Sequence, residues 1–441
     1  MRKSLFGVYN PAHKFCLLNL DLIGILIAFY IPSRLRLGLA PEYFSFEFFV
    51  LAFIIIISLF VGNGYTSSAL GGKPRLPLNT FLVVLASAIP ATLFIYLLGP
   101  ERFTYLFGRG IFPSAILLIG IIAMLNRIAL NYVFRNNQRE RSILVVGDVK
   151  SQKHFDNSIH QSISNMRIAR CANLLPENNP TLFDAIVIAP DHKLTSQEQQ
   201  ILIDTRLVGI PIFSLSDFFE SFLFLVPVSE INNDWFIRAE GFAMLHSTVS
   251  TRVKRTVDLA AAISLMFVTV PISLLTAVLI KLVSPGPVLF SQTRVGLQGQ
   301  HFTLYKFRTM RINSESNGAR WAEDNDDRII LFGRFLRATR IDELPQCWNI
   351  LRGDMSIIGP RPERPEFTEE LAREIPYYEL RHIIKPGLTG WAQVRYPYGA
   401  SVEDALRKLQ YDLYYIKNYS LLLDLNIMLR TVLVTVGREG R

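Results

Sequence analysis

The 441-residue sequence holds only three cysteines, Cys16, Cys171 and Cys347, far apart and with no CxxC pair. That excludes a disulfide framework and a cysteine-built zinc site. Zinc-finger spacing and a block of basic residues are both missing, so the formal net charge of +9 does not point to nucleic acid. The first apolar run, residues 15–31, lacks a small-residue cleavage site and reads as an anchor, not a removed signal peptide. A dinucleotide fingerprint is also absent. Gly147 is followed by Asp148-Val149-Lys150-Ser151, with no second or third glycine.

What the chain has in abundance is apolar sequence, 50% of its residues, gathered in long runs. That is the mark of an integral membrane protein. Runs at 15–31, 48–61, 81–98 and 111–133 predict a four-helix transmembrane domain over residues 1–140. Asp21 inside the first run is read as lying near the interface, and Arg127 in the fourth as snorkelling to its nearer interface. Arg2, Lys3, Lys14, Lys73, Arg75, Arg135, Arg139 and Arg141 flank one side, against Arg34, Arg36, Arg102 and Arg109 on the other. The bias places the N-terminus and everything after the fourth helix in the cytoplasm.

Residues 141–245 read as a soluble α/β module. Ile143-Leu144-Val145-Val146 is a buried-strand signal ending in a glycine turn, with further strands at 184–189 and 210–213. The pattern is Rossmann-like, but without the fingerprint it predicts the fold and no cofactor. Residues 259–280 are then long enough to span a bilayer. Pro271 near their middle and basic residues at both ends (Arg252, Lys254 and Arg255; Lys281) favour a bent, re-entrant helix, about 254–283. A kinked full crossing is the alternative.

The last part, within 246–441, carries the chemistry on a mixed α/β fold. Strands are expected at 287–292 and 302–310, with Lys306 and Arg308 on one face by period two. Asp342-Glu343 reads as a helix start, Asp342 as its N-cap, Pro345 in its first turn, and Arg337 and Arg340 just before. Alone, such a pair is more often a capped surface helix than a site. Arg294, Lys306, Arg308, Arg337, Arg340, Arg361 and Lys385 lie in separate segments, and a shared polyanionic ligand would explain them. Residues 420–436 read as an interfacial helix or, at equal odds, a buried core helix.

Several blocks then occur in one order: Lys254-Arg255-Thr256-Val257-Asp258, the Pro271 segment, Tyr305-Lys306-Phe307-Arg308-Thr309-Met310, Asp342-Glu343-Leu344-Pro345-Gln346, Asn349-Ile350-Leu351-Arg352-Gly353-Asp354-Met355-Ser356, Gly359-Pro360-Arg361-Pro362, and Lys385-Pro386-Gly387-Leu388-Thr389-Gly390-Trp391-Ala392-Gln393-Val394. In these blocks the chain resembles the bacterial sugar transferase family, monotopic polyprenyl-phosphate hexose-1-phosphate transferases. With its N-terminal spans and Rossmann-like module it resembles the long-form members, and Tyr396-Pro397-Tyr398-Gly399-Ala400-Ser401-Val402-Glu403-Asp404 is most similar to their exopolysaccharide subgroup. It departs from some members at the bend, where Val270-Pro271 stands in place of Ser-Pro.

The resemblance implies a phosphoglycosyl transferase in the bacterial inner membrane, with its catalytic domain on the cytoplasmic face. Its substrates would be a UDP-sugar and undecaprenyl phosphate, and its products UMP and undecaprenyl-diphosphate-sugar, the first membrane step of exopolysaccharide or capsule biosynthesis. Asp342 is implied as the nucleophile that forms a phosphosugar-aspartyl intermediate, and Asp342 with Glu343 as Mg²⁺ ligands. Lys306, Arg308, Arg337, Arg361, Lys385 and Gln393 are implied as phosphate or substrate contacts. A homodimer is left open, and the sugar, glucose or galactose in many relatives, is a family expectation only. Two other readings compete: an inactive membrane scaffold or sensor, and a glycosyltransferase that releases UDP.

Overall fold

The computed structural model describes residues 11–38, 45–61, 65, 76–98, 110–135, 141–147, 159, 166–175, 178–190, 192–242, 247–311, 328–330, 332–396, 399 and 401–436. The flanking cations Arg2, Lys3, Lys73, Arg75, Arg102, Arg109 and Arg139, and the stretch Asp148-Val149-Lys150-Ser151, fall outside them. The chain divides into two compact units, Met1–Leu215 and Ser216–Arg441.

Among the described residues, the first unit begins with the helices α1 (Pro11–Leu37), α2 (Phe46–Val61), α3 (Leu76–Leu98) and α4 (Ile111–Arg135). Within α1 and α4, residues 15–36 and 111–130 are long and apolar enough to cross a membrane, whereas the apolar parts of α2 and α3, residues 46–60 and 80–95, are shorter. α1 packs on α4, α4 on α3, and α3 on α2. Glycine permits the α1–α4 approach, because a Cβ on Gly24 would meet Ile122 at 2.7 Å.

One expectation is overturned in these helices. Asp21 does not reach the interface and Arg127 does not snorkel. They form a buried bidentate pair, Nη1–Oδ1 2.6 Å and Nη2–Oδ2 2.8 Å. Tyr65 donates to Asp21 at 2.7 Å, and Asn126 donates at 3.1 Å. A paired, hydrogen-bonded charge is far cheaper to bury than a lone one, and that favours pairing over reaching for water.

The rest of this unit is a parallel sheet of β1 (Arg141–Val146), β2 (Met166–Cys171), β3 (Ala185–Ile188) and β4 (Ile212–Ser214), in the order β2-β1-β3-β4. Helix α5 (Ser196–Leu207) links β3 to β4. Leu144, Val146, Leu174, Ile186, Leu202 and Ile210 form its core. Gly147 closes β1 at φ +88°, where a Cβ would strike His192 at 2.7 Å.

The second unit begins at Ser216. Its first residues pack on the fold that follows: Val226 N–H donates to Gln410 O, Trp391 Nε1 donates to Phe224 O, and Lys417 pairs with Glu220. Helix α6 (Thr248–Val283) is one uninterrupted α-helix with Pro271 inside it. Its apolar side chains are widely exposed, among them Phe267, Val268, Leu274 and Leu275. An antiparallel hairpin follows, β5 (Leu289–Val295) with β6 (His301–Phe307). Next come α7 (Gly333–Ala338), α8 (Gln346–Arg352), β7 (Ser356–Ile358) and α9 (Pro365–Glu374). β8 (Gly387–Thr389) pairs parallel with β7. The last helices among the described residues are α10 (Trp391–Arg395), α11 (Val402–Lys417) and α12 (Leu421–Val436).

Candidate active site

The Asp342-Glu343 pair is displayed by a turn whose flanks are sunk in apolar contacts. Ile341 and Leu344 pack against a buried cluster of Ile280, Phe307 and Leu336, contributed by α6, β6 and α7. Between them, Asp342 and Glu343 lie in a one-turn 3₁₀ segment, residues 341–343, and not at the N-cap of α8 as the sequence pattern suggested. The N-cap of α8 is Pro345. The pattern misleads because Arg340 takes a left-handed conformation, φ +56°, which ends α7 early and starts a separate tight turn. Left-handed backbone is costly for a residue with a Cβ and is found where the surroundings enforce it, often at functional sites.

Both carboxylates are buried, at 8% and 9% exposure. Arg361 Nη2 donates to Glu343 Oε1 at 2.8 Å, and Arg340 Nη1 lies 3.6 Å from Oε2. Burial works to raise the pKa of Glu343, but Arg361 and Arg340 outweigh it and hold it below the ordinary value. Asp342 is different. Burial first, and then the neighbouring Glu343, push its carboxyl up to about 7, against the pull of Lys306, Arg337 and Arg361. An unassisted, fully ionised aspartate, as its type suggests, is therefore not what the fold provides. Lys306 sits in the same field. Burial and Arg294 lower it to about 8, while Asp342 opposes the shift, and its Nζ lies 5.0 Å over the Phe290 ring.

Of the sequence candidates, Lys306, Arg337 and Arg361 thus act electrostatically on Asp342. Arg337 is held by Thr309, its Nε donating to the hydroxyl at 2.9 Å. Arg308 lies just past the end of β6, and its guanidinium donates to the carbonyls of Ser284 (2.7 Å) and Pro285 (2.8 Å), where it fixes the exit from α6. Lys385 is beside Gly353 and Arg255, at the other end of α8. Gln393 in α10 has both amide atoms buried without a hydrogen-bond partner among the described residues.

Other residues that build the site gave a weaker signal in the sequence. Asn349 is fully buried in α8 and ties that helix to β6, accepting from Tyr305 N–H at 3.2 Å and donating to Thr303 O at 2.7 Å. Arg255 donates to the C-terminal carbonyls of α8, Ile350 at 2.6 Å and Leu351 at 2.9 Å, where a cation also suits the helix dipole. Asp258 accepts from Ser356 Oγ and Ile357 N–H, both at 3.0 Å. Their blocks could be found in sequence, but not what each side chain holds.

A metal can be tested against this donor set. Among the described residues no group of three or more His, Cys, Asp or Glu side chains converges as a cage. Mg²⁺ commonly takes only one or two protein carboxylates and completes its shell with water and substrate phosphate. Asp342, buried beside a second carboxylate and pushed toward neutrality, is the kind of group that a divalent cation would relieve. The pair fits such an ion, with Asp342 freer than Glu343, which Arg361 engages.

The family model described as Bacterial sugar transferase matches residues 249–438. A relative from Aeromonas hydrophila, named UDP-N-acetylgalactosamine-undecaprenyl-phosphate N-acetylgalactosaminephosphotransferase, is 41% identical over 258 residues. That alignment covers 58% of this chain and 60% of the relative, so less than two thirds of its length. A UDP-glucose:undecaprenyl-phosphate glucose-1-phosphate transferase from Caulobacter vibrioides is 46% identical over 181 residues, 41% of this chain and 68% of the relative. A putative undecaprenyl-phosphate N-acetylgalactosaminyl 1-phosphate transferase from Bacillus subtilis is 48% identical over 129 residues, 29% of this chain and 72% of the relative.

Proposed function

Because the chain belongs to the bacterial sugar transferase family, we propose that it moves a sugar-1-phosphate from a UDP-sugar to undecaprenyl phosphate at a membrane surface, releasing UMP. The observation that carries this reading is the turn at Asp342: a buried carboxylate flanked by Lys306, Arg337 and Arg361, with the neighbouring Glu343 already engaged by Arg361. Asp342 attacks the sugar-bearing phosphorus, the bond from that phosphorus to the bridging oxygen breaks, and UMP leaves with that oxygen. The phosphosugar is then joined to the Asp342 carboxylate. A phosphate oxygen of the lipid attacks the same phosphorus and frees Asp342. No general base is needed for either attack if both nucleophiles are ionised.

The three cations neutralise the diphosphate that an anionic nucleophile must approach, and they hold Asp342 toward its charged form. Glu343, fixed by Arg361 and Arg340, keeps the turn and its cations in register. Mg²⁺ held by Asp342 and Glu343 would supply further charge neutralisation at the phosphates.

A same-face return of α6 is supported by where its two ends are held. Arg255 grips the end of α8, and Ile280 packs in the cluster that holds Leu344 just before α8. A straight helix from 255 to 280 would cover about 37 Å, whereas the seven residues of α8 cover about 10 Å. Proline at 271 is the natural place for the chain to bend. Such a helix keeps the carboxylates near the headgroup level, where the lipid phosphate lies. We further assign the four N-terminal helices to a membrane domain and the parallel sheet to a Rossmann-like cytoplasmic module, on an inner-membrane protein.

Product identity tests the reading. Purified full-length protein incubated with a UDP-sugar, Mg²⁺ and undecaprenyl phosphate is expected to yield UMP in step with the lipid-linked sugar. UDP as the sole nucleotide product would assign the chain to sugar transfer without phosphate.

A further inference from the structure

One charged cluster in the second unit has no part in that chemistry. Trp391 and Arg395 are four residues apart in α10 and share a face. The Arg395 guanidinium lies 4.4 Å from the centre of the Trp391 ring and 4.8 Å from that of Phe224. From α12, the Arg430 guanidinium lies 5.5 Å from the same Trp391 ring. Two guanidinium groups therefore converge on one indole.

Neither has a carboxylate partner among the described residues. Arg395 makes no hydrogen bond among them, and its Nε is buried. Arg430 donates only from Nε, to Asn426 Oδ1 at 2.6 Å. Buried cations of this unit are matched, Lys254 by Asp424, Arg381 by Asp412 and Arg308 by two carbonyls, and so is the half-buried Lys417, by Glu220. Burial holds both Arg395 and Arg430 below their ordinary pKa, and Arg430, lowered further by Arg395, reaches about 9. Two like charges that act on each other in a half-buried place are unfavourable unless something negative joins them. The aromatic rings cover guanidinium faces, so N–H edges remain for a ligand. Two forks of one sign suit a tetrahedral oxyanion that accepts several hydrogen bonds at once.

We propose that Arg395 and Arg430 form a phosphate-binding site built from residues other than those of the carboxylate turn. Its occupant is the phosphate of a lipid headgroup or of a soluble phosphate compound. Binding there needs no turnover at Asp342, so an inactive Asp342→Asn protein should retain it.

Thermal unfolding of the full-length protein tests the site in two arms. In nonionic detergent the probe is inorganic phosphate. In nanodiscs the comparison is phosphatidylcholine alone against phosphatidylcholine with phosphatidylglycerol. The unfolding midpoint is expected to rise in at least one arm. A rise with inorganic phosphate identifies a soluble source, and a rise confined to phosphatidylglycerol identifies a lipid one. Arg430→Met and Arg395→Gln should abolish the rise or demand at least about tenfold more anion. Because Arg430→Met removes one of two like charges, its midpoint without anion should equal or exceed that of the wild type. A lower midpoint for that variant assigns Arg430 to packing and overturns the site. So does the absence of a rise in the wild type in both arms, or an equal rise in wild type and variants.

Discussion

Asp21 in α1 and Asp342 in the turn before α8 are both buried carboxylates near arginine, and their surroundings differ in kind. Asp21 has both oxygens taken by Arg127, with Tyr65 and Asn126 completing the set. Asp342 has Lys306, Arg337 and Arg361 in its field, but Arg361 is hydrogen-bonded to the neighbouring Glu343. The first arrangement is closed: charge and hydrogen bonds are matched within the protein, which suits a permanent link between two helices. The second is open: it gathers more positive charge than its own pair of carboxylates absorbs cleanly, and leaves one carboxylate pushed toward neutrality. An open site has something to gain from an anionic substrate or a cation, and a closed one does not. The distinction lies in satisfaction of the buried group, not in burial itself.

Substitutions at Asp342 and at the arginines around the two aspartates should separate these roles. The largest effect is expected for Asp342→Asn, which removes the proposed nucleophile and should cut turnover by about 10⁴-fold or more while leaving the fold intact. Near-normal product formation by that variant would break the comparison at its functional end. Next, Arg127→Ala should destabilise the first unit by about 3–5 kcal/mol, because it strands a buried charge on Asp21. A loss below about 1 kcal/mol in chemical or thermal unfolding would mean that Asp21 is not closed in by its partner. Arg361→Ala should lower kcat/KM about 10²-fold, with only a small stability change because Arg361 is 44% exposed.

The smallest effect concerns pH. The Asp342 pKa is raised from 3.8 to about 7, so the folded state binds that proton more tightly than the unfolded chain does. Its contribution to stability is complete below about pH 4 and is lost as pH rises through about 7. In metal-free buffer, Asp342→Asn should therefore raise the unfolding midpoint at pH 8 relative to wild type, by more than at pH 5. A difference that is the same at both values would show that Asp342 is not strained by its surroundings.

Much of this arrangement was legible before the structure. The apolar runs located the helices, and the buried-strand signals located β1, β3 and β4. β2 was missed because its Met-Arg-Ile-Ala-Arg-Cys sequence carries two arginines and has no continuous apolar run. The ordered blocks pointed to Asp342 and Glu343, and their cations were picked out because no helix or strand pattern required them. What failed was whatever depends on a partner distant in sequence. Asp21 and Arg127 are 106 positions apart, and nothing local says that they meet. Arg308 looked equivalent to Lys306 by strand period, but the strand ends at Phe307 and leaves Arg308 to the carbonyls of Ser284 and Pro285. The left-handed turn at Arg340 also left no mark, since neither glycine nor asparagine stands there.

The central claim is that Asp342 becomes covalently bonded to the sugar phosphate. Full-length protein should be mixed with a UDP-sugar and Mg²⁺ in the absence of undecaprenyl phosphate, quenched, and its peptides analysed by mass spectrometry. The peptide containing Asp342 is expected to gain the mass of one sugar phosphate, with a matching burst of UMP, and to lose it when undecaprenyl phosphate is added. An unmodified Asp342 peptide in a sample that makes lipid-linked product at full rate once the lipid is supplied would contradict the account.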